Sequence, residues 1–154
     1  MAVQKNINIQ NKKARFEFEI LDKFVAGIQL TGTEIKSIRL SQARITESFC
    51  EFNDRGELFI VNMYIQEYLF GHHFNHKPKS ERRLLLNKRE LRSLRKDVEA
   101  KGNTIVPLRL LINDRGFAKL EIALAKGKKL FDKRETIKDR DNKRDLDRIK
   151  KIYK

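Results

Sequence analysis

Apolar and charged residues alternate along two stretches near the start of the chain. Phe16, Phe18 and Ile20 alternate with charged side chains, and a second alternation covers residues 24–30. Period-2 alternation is typical of a strand with one buried face. The pattern breaks at residues 22–23, which predicts a bulge or a tight turn. We therefore predict two short strands, and we expect the largely polar first ten residues to be disordered.

Helical spacing follows the second strand. Thr31 and Glu34 fit the capping box that opens a helix. Ile35 and Ile38 would then face the core, with Glu34 and Lys36 on the outside. The pattern predicts a short helix.

A second helix is predicted over residues 87–101, where Leu91, Leu94 and Val98 recur on one face. Gly102 would close it, because glycine readily adopts the left-handed conformation found at helix ends. The preceding residues 71–80 are predicted to form a loop.

The tetrapeptide Asn-Asp-Arg-Gly occurs twice, at residues 53–56 and 113–116. Its residues tolerate positive φ, and such a turn between two β-rich runs is typical of a hairpin. The runs that the two copies separate are residues 45–52 and 58–65, and residues 104–112 and 117–124.

These elements predict one mainly β domain over residues 1–125. An antiparallel sheet of about six short strands buries its edges best by closing. We therefore favour a small closed antiparallel β-barrel of the oligonucleotide-binding (OB) class with flanking short helices. A flat α+β sandwich is the alternative.

Residues 126–154 differ in composition and form a separate basic tail. They hold 13 Lys and Arg against 6 Asp and Glu, a net charge of +7, half of the +14 of the whole 154-residue chain. Of the 20 residues from 132 to 151, 15 are charged, which leaves too little apolar surface to offset the entropy of folding. Two i,i+4 pairs, Asp139 with Lys143 and Asp147 with Lys151, favour a helix. We predict a tail that is flexible alone and helical on an anionic partner.

Strong positive charge favours nucleic acid or an anionic membrane as the partner. No apolar run approaches the roughly 20 residues that span a bilayer, and the tail lacks the wide apolar face of an interfacial helix. The N-terminus lacks the pattern of a signal peptide, and the single cysteine, Cys50, suits a reducing cytosol. We expect a cytoplasmic monomer that binds nucleic acid and no membrane.

Catalytic and metal-binding patterns are weak. Cys50 with His72, His73 and His76 is a conceivable ligand set, but a histidine-containing surface loop is the simpler account. Residues 127–129 lack the second glycine and the Ser or Thr of a phosphate-binding loop. We expect no metal, no cofactor and no catalytic residue; a nuclease or RNA-modifying enzyme is the rival hypothesis.

Several short strings occur in a distinctive order along the chain. They are Asn11-Lys12-Lys13-Ala14, Ala26-Gly27-Ile28, GTEIKSIR at residues 32–39, Phe74-Asn75-His76, RLLLN at residues 83–87, Ala125-Lys126-Gly127-Lys128-Lys129 and Asp132-Lys133-Arg134. In this order and at these spacings, the chain resembles the small protein B (SsrA-binding protein) family of bacteria from about Asn11 to its end.

The resemblance implies an OB-class barrel that binds the tRNA-like part of transfer-messenger RNA (tmRNA, or SsrA RNA) and delivers it to stalled 70S ribosomes in trans-translation. The body would stand in for the missing anticodon half of a tRNA. The tail would become helical in the decoding centre and the empty mRNA channel. A generic ribosomal or tRNA-binding protein with a basic tail would explain the composition equally well.

The resemblance also implies functional residues. Those expected to contact RNA are Asn11, Lys12, Glu34, Lys36, Leu85, Lys119, Lys126, Lys128 and Lys129. Those expected to reach the ribosome are Asp132, Lys133, Arg134, Lys138, Arg140, Lys143 and Arg144. From the pattern alone, Glu34 is a capping residue and Leu85 a core residue.

Two positions depart from the family pattern. Val25 stands where many relatives have an acidic residue, and Phe131 stands where many have histidine. Stacking of Phe131 on a base would replace the contact of the imidazole with a phosphate.

Overall fold

The computed structural model describes residues 7–100 and 102–127. Antiparallel strands with a few short helices make up this part of the chain, which confirms the mainly β prediction. The elements are β1 Asn8–Gln10, α1 Lys12–Glu17, β2 Phe18–Ile28, α2 Gly32–Arg39, β3 Ala43–Arg44, β4 Phe49–Phe52, β5 Leu58–Val61, β6 Tyr64–Ile65, a 3₁₀ turn His72–Phe74, β7 Arg82–Leu85, α3 Lys88–Val98, β8 Asn103–Ile112 and β9 Ala118–Gly127. Nearly all of the predicted tail, residues 128–154, lies outside the described residues.

Of the first ten residues, which were predicted to be disordered, residues 7–10 differ from the prediction and residues 1–6 lie outside the described residues. Residues 8–10 form a strand paired with β8, and Ile7 is buried, so residues 7–10 are ordered. Helix α1 follows, because the side-chain oxygen of Asn11 caps it by accepting from the Ala14 N–H at 3.2 Å. Phe16 therefore lies in a helix and not in the predicted strand.

Strand β2 replaces the two strands predicted near the start of the chain. It runs without a turn, and its register against β9 shifts between Ile20 and Asp22. The predicted break is therefore a β-bulge, which bends a strand without ending it.

Both predicted longer helices are present, and each begins with a complete capping box. Thr31 pairs with Glu34 at the start of α2, and Asn87 pairs with Glu90 at the start of α3. Each pair satisfies two backbone N–H groups that a helix start leaves open. Glu34 was expected on the outside of α2, but it is buried.

Both predicted hairpins are confirmed, β4 with β5 and β8 with β9. In each turn the asparagine, Asn53 or Asn113, accepts from the backbone N–H groups two and four residues later, at 3.1 and 2.9 Å. Gly56 and Gly116 have φ of +79° and +85°, where a residue with a Cβ would be strained. The repeated tetrapeptide therefore makes the same turn twice.

Seven strands form one sheet in the order β1-β8-β4-β5-β7-β2-β9, and β8 also pairs with β9. Strand β7, between β5 and β2, was not predicted. Strands β3 and β6 form a separate two-stranded sheet. The main core is buried under α2 and α3, with Ile38 and Leu94 fully enclosed. A second, smaller cluster lies on the opposite face of β8 and β9, where Ala14 of α1 packs.

The two matching turns differ in one titratable contact. The carboxylate of Glu57 accepts from Asn53 Nδ2 at 2.9 Å. This bond chiefly lowers the pKa of Glu57, with smaller contributions from the charges of Arg83 and Arg55. A lowered pKa adds stability above the ordinary pKa of the group, and that stability is lost as the pH falls through the folded-state value. The second turn has Phe117 at the corresponding place.

We expect Asn53→Ala to destabilise the fold more at about pH 7 than at about pH 3, because the bond is charge-assisted only while Glu57 is ionised. Asn113→Ala is the matched control and should cost about 1–2 kcal/mol at both pH values, since Phe117 does not titrate. Urea unfolding of the two variants measures this difference. An equal pH dependence in both would contradict the role given to Glu57.

Candidate nucleic-acid interface

One row of residues crosses five strands on the outer face of the main sheet. Asn8, Leu111, Lys119, Gly27 and Leu85 are successive register partners on β1, β8, β9, β2 and β7. Register partners in antiparallel strands share a face. The residues that alternate with them point into the main core, so this row faces outward.

A second row lies two residues along each strand. Gln10, Arg109, Glu121 and Val25 are register partners on β1, β8, β9 and β2. Arg109 Nε donates to Glu121 Oε2 at 2.8 Å, while the Val25 side chain is exposed. We call the two rows together the outer strip. It combines exposed apolar side chains with cations and one paired carboxylate.

Leu85 lies on the outer strip because Gly27 makes room for it. A Cβ at Gly27 would be 3.3 Å from the Leu85 Cβ, closer than such atoms usually approach. The side chain of Leu85 is 50% exposed, and its neighbour Leu84 fills the core. The pattern-based interpretation of Leu85 as a core residue is therefore wrong, whereas its surface position agrees with the RNA contact that the resemblance implies.

The lysines expected to bind RNA are spread along β9 and its neighbours. Lys119 pairs with Gly27 at one end of the β2–β9 ladder, and Lys126 pairs with Glu19 at the other. The two lysines are seven positions apart, about 23 Å along the strand. Lys12 is exposed on the first turn of α1. Lys126 shares its face of β9 with the core residues Leu120, Ile122 and Leu124, opposite to the face of Lys119, so the structure gathers these cations neither at one point nor on one face.

Asn11 has a structural role. Its side chain is buried, caps α1, and donates from Nδ2 to the Pro107 carbonyl at 3.0 Å. Its backbone N–H donates to the Leu108 carbonyl at 2.8 Å. These bonds tie the start of α1 to β8 and place the neighbouring Lys12 on the surface.

Glu34 is also engaged within the protein. Oε1 accepts from the Thr31 N–H at 2.9 Å, and Oε2 accepts from Arg82 Nε in a buried ion pair. The Glu34 side chain is 5% exposed. Because both oxygens are occupied and covered, Glu34 is placed to hold Arg82 and not to touch a ligand directly.

Arg82 extends this pairing to the segment before β7. Its guanidinium donates to the carbonyls of Met63, Pro78 and Lys77 at 2.8, 3.1 and 3.3 Å. Each of the three guanidinium nitrogens therefore donates to at least one acceptor, as a buried cation requires. One ion pair thus joins α2, β7 and the segment directly before β7.

Lys36 is exposed on α2, with its ammonium 5.5 Å from the centre of the Tyr68 ring. Tyr68 lies in the loop Gln66–Ser80, whose large apolar side chains are exposed. The loop predicted from the sequence covers only residues 71–80, and the exposed aromatic side chains were not predicted. The available signal was the string YLFGHHF at residues 68–74, which is apolar and aromatic without helical or strand periodicity.

The described residues offer no activated cysteine and no convergent set of metal ligands. Cys50 is buried, and burial raises the pKa of its thiol, so the thiol is not activated. Over residues 7–100 and 102–127, no three His, Cys, Asp or Glu side chains converge as metal ligands would. In the same residues no helix is both long and apolar enough to cross a membrane.

The sequence matches the model of the SmpB protein family over residues 8–152. The chain belongs to this family. The SsrA-binding protein of Flavobacterium psychrophilum is 71% identical over 149 residues, which are 97% of this chain and 99% of the relative. The SsrA-binding protein of Christiangramia forsetii is 63% identical over 152 residues, 99% of this chain and 96% of the relative.

A solved structure agrees with this assignment to the SmpB family. A chain from "tmRNA-SmpB: a journey to the center of the bacterial ribosome" is 47% identical, with a TM-score of 0.67 over 80% of this chain and 86% of that chain. The family resemblance seen in the motifs is therefore confirmed.

The buried pair predicts a large loss of stability. Arg82→Met should destabilise the fold by about 3–5 kcal/mol in urea unfolding, because it leaves the Glu34 carboxylate buried without its cation. Arg109→Met is the control, since the Arg109 side chain is 43% exposed and the Arg82 side chain 2%. Breaking the partly exposed pair with Glu121 should cost at most about 1 kcal/mol. Similar costs for the two variants would contradict the structural weight given to Arg82.

Proposed function

We propose that this SmpB-family protein binds the tRNA-like part of tmRNA and delivers it to stalled 70S ribosomes in trans-translation. The observation that carries the proposal is 71% identity to an SsrA-binding protein along 97% of the chain. The related chain in the tmRNA-SmpB structure supports the ribosome as the second partner. A net charge of +14 suits both partners, which are polyanions.

We infer that the main sheet closes into a barrel of the OB class. The strand pairing supports this: β8, next to one end of the strand order, pairs with β9 at the other end. A single register pair, Cys50 with Ile105, joins β4 to β8. Pairing of the end strands would remove exposed sheet edges, and it would place the outer strip on the convex side.

The outer strip is the surface of the body that we propose for RNA. Leu85 and Lys119 share one row there, so an apolar side chain and a cation could contact sugar and phosphate side by side. Lys12 and Lys36 would extend the contact along the RNA backbone, and Lys126 would contact the RNA from the opposite face at the far end of β9. This chain has Val25 at the position where many relatives have an acidic residue. Its register partner on the next strand, Glu121, could supply a carboxylate instead.

Asn11 and Glu34 would support binding indirectly. Their side-chain polar atoms form hydrogen bonds within the protein and are not available to RNA. Their role would be to hold the neighbouring lysines and Arg82 in place. We therefore propose them as positioning residues for the RNA surface.

We propose that the tail provides the ribosomal contact. Strand β9 ends at Gly127 and leads directly into Lys128 and Lys129, which would continue the RNA contact of Lys126. The residues proposed for the decoding centre and mRNA channel are Asp132, Lys133, Arg134, Lys138, Arg140, Lys143 and Arg144. Their i,i+4 charge pairs favour a helix once the rRNA neutralises the excess cations.

This function is non-catalytic in our proposal, and it needs no cofactor. Its support is the buried Cys50 and the engagement of Glu34 with Arg82, which remove two otherwise reactive side chains. We propose that the protein acts in the cytoplasm, where its proposed ribosomal partner is, and that it acts as a monomer.

Substitutions in the outer strip should distinguish the charged contribution to RNA binding from the apolar contribution. With about six phosphate contacts, the slope of log K against log salt should be about −4 to −5 for the tRNA-like RNA. Lys119→Ala should make the slope less steep by about 0.9, because one phosphate contact is lost. Leu85→Ala should weaken binding and leave the slope unchanged. Lys96→Ala, an exposed cation on α3, is the control and should change neither quantity. Equal affinity for ordinary tRNA would favour a generic tRNA-binding protein instead.

Truncation after Ala125 should divide the two activities. The body should still bind the tRNA-like RNA because the outer strip remains, with some loss of affinity because Lys126, Lys128 and Lys129 are removed, but peptide tagging on stalled ribosomes should disappear. The substitution Lys133→Glu with Arg134→Glu should have the same effect in the full chain. Normal tagging by either variant would refute the assignment of the ribosomal contact to the tail.

A further inference from the structure

The loop from Gln66 to Ser80 exposes three large apolar side chains to solvent. Phe74 is 91% exposed, Leu69 70% and Phe70 61%. Scattered exposed apolar residues are ordinary, but three within six positions form a patch, and patches of this kind mark binding sites. Phe70 also meets Tyr68 edge to face, with ring centres 5.7 Å apart.

Hydrogen bonds hold this aromatic loop in one shape. The Asn75 side chain clamps Tyr68, accepting from its N–H at 3.0 Å and donating to its carbonyl at 2.6 Å. The Gly71 N–H donates to the Tyr68 carbonyl, and the Phe74 N–H donates to the Gly71 carbonyl, both at 3.0 Å. Any side chain at Gly71 would collide with Asn75, 2.6 Å from the position of a Cβ.

The loop is also fixed to the body. His76 Nε2 donates to the Ile65 carbonyl at 2.9 Å, so Nδ1 is free to accept from the Thr33 hydroxyl, also at 2.9 Å. The buried pair of Glu34 and Arg82 holds the carbonyls at the far end of the loop. A rigid segment that keeps aromatic rings in water is organised to bind, because a flexible one would lose more entropy on ordering.

The charge around the loop identifies the kind of partner. Residues 66–80 contain one carboxylate, Glu67, against two lysines, Lys77 and Lys79, and three histidines. The Lys36 ammonium adds a cation at the Tyr68 ring. Flat aromatic faces beside cations match a ligand that alternates flat bases with phosphates, which is unpaired RNA.

We propose that Phe70 and Phe74 are stacking sites for unpaired bases of the bound RNA, with the nearby lysines contacting the adjoining phosphates. This proposal rests on the proposed function for its RNA, and it adds a contact away from the outer strip. It commits to RNA bases; a protein docking on the same apolar side chains is the competing outcome of the test.

The test uses the full chain and a single-stranded RNA of about 12 nucleotides that carries the fluorescent base 2-aminopurine, with a blunt duplex of the same sequence beside it. Phe74→Leu keeps an apolar side chain but removes the ring, and it should weaken single-strand binding by about 5- to 100-fold, the range of one lost stack. Phe74→Trp should restore binding and quench the 2-aminopurine. Duplex binding should not change in either variant.

Phe117→Leu is the matched control, an exposed phenylalanine outside the loop, and it should bind like the unaltered protein. Thermal unfolding of each variant should match the unaltered protein, since the substituted side chains are exposed. Unchanged single-strand binding by both Phe70→Leu and Phe74→Leu would overturn the proposal, as would an equal loss for single strand and duplex.

Failure of this proposal can be told apart from failure of the proposed function. If Phe70→Leu and Phe74→Leu both bind normally while Lys119→Ala weakens binding to the tRNA-like RNA, only the stacking sites are refuted. If the unaltered protein shows no preference for the tRNA-like RNA over ordinary tRNA, the proposed function fails, and the oligonucleotide result still decides the stacking.

Discussion

The buried ion pair between Glu34 and Arg82 is the constraint on which the arrangement of this protein depends. Two opposite charges that are almost completely covered must be paired and hydrogen-bonded, because either one alone would be very costly to bury. The pair meets this condition because Glu34 also accepts from the Thr31 N–H at the start of α2, and Arg82 also donates to three backbone carbonyls. The geometry of α2, β7 and the aromatic loop is therefore set together.

The sheet has two kinds of outer surface. Toward the bulge of β2, its outside is covered by α1 through the second cluster, which includes Ala14 and Ala123. Toward the other end, the outside is left open as the outer strip around Lys119 and Leu85. Because α1 covers one part of the outer side of the sheet, only the outer strip leaves the strands of that side accessible to a large partner.

Exposed apolar groups are found on elements that are otherwise firmly held. Leu85 lies across a glycine in a paired strand, and Phe74 follows a turn clamped by Asn75. Water contact with such groups is unfavourable, and rigid support keeps them from collapsing onto the body. Exposed apolar side chains on rigid elements are therefore the feature of this fold that suits recognition of a partner.

Local sequence signals predicted the local structures well. The capping residues, the repeated turn tetrapeptide and the break in β2 act over a few neighbouring residues, so each could be recognised without knowing the fold. The family motifs likewise led to the assignment that the comparisons confirm. The site was predicted only in part: Leu85 is on the surface as the resemblance implies, but the aromatic loop has no periodicity from which its role could be recognised.

By itself, the sequence determined the mainly β composition, the helix starts, the two hairpins and the excess of positive charge, because these depend on residue type and short spacings. Only the tertiary structure decided that residues 8–10 pair with β8, about a hundred positions away, and that α1 takes the place of a strand. It also decided that Glu34 is buried, since its partner Arg82 lies 48 residues later. Alternation and capping patterns describe neighbours along the chain, whereas burial and pairing depend on which distant residues meet.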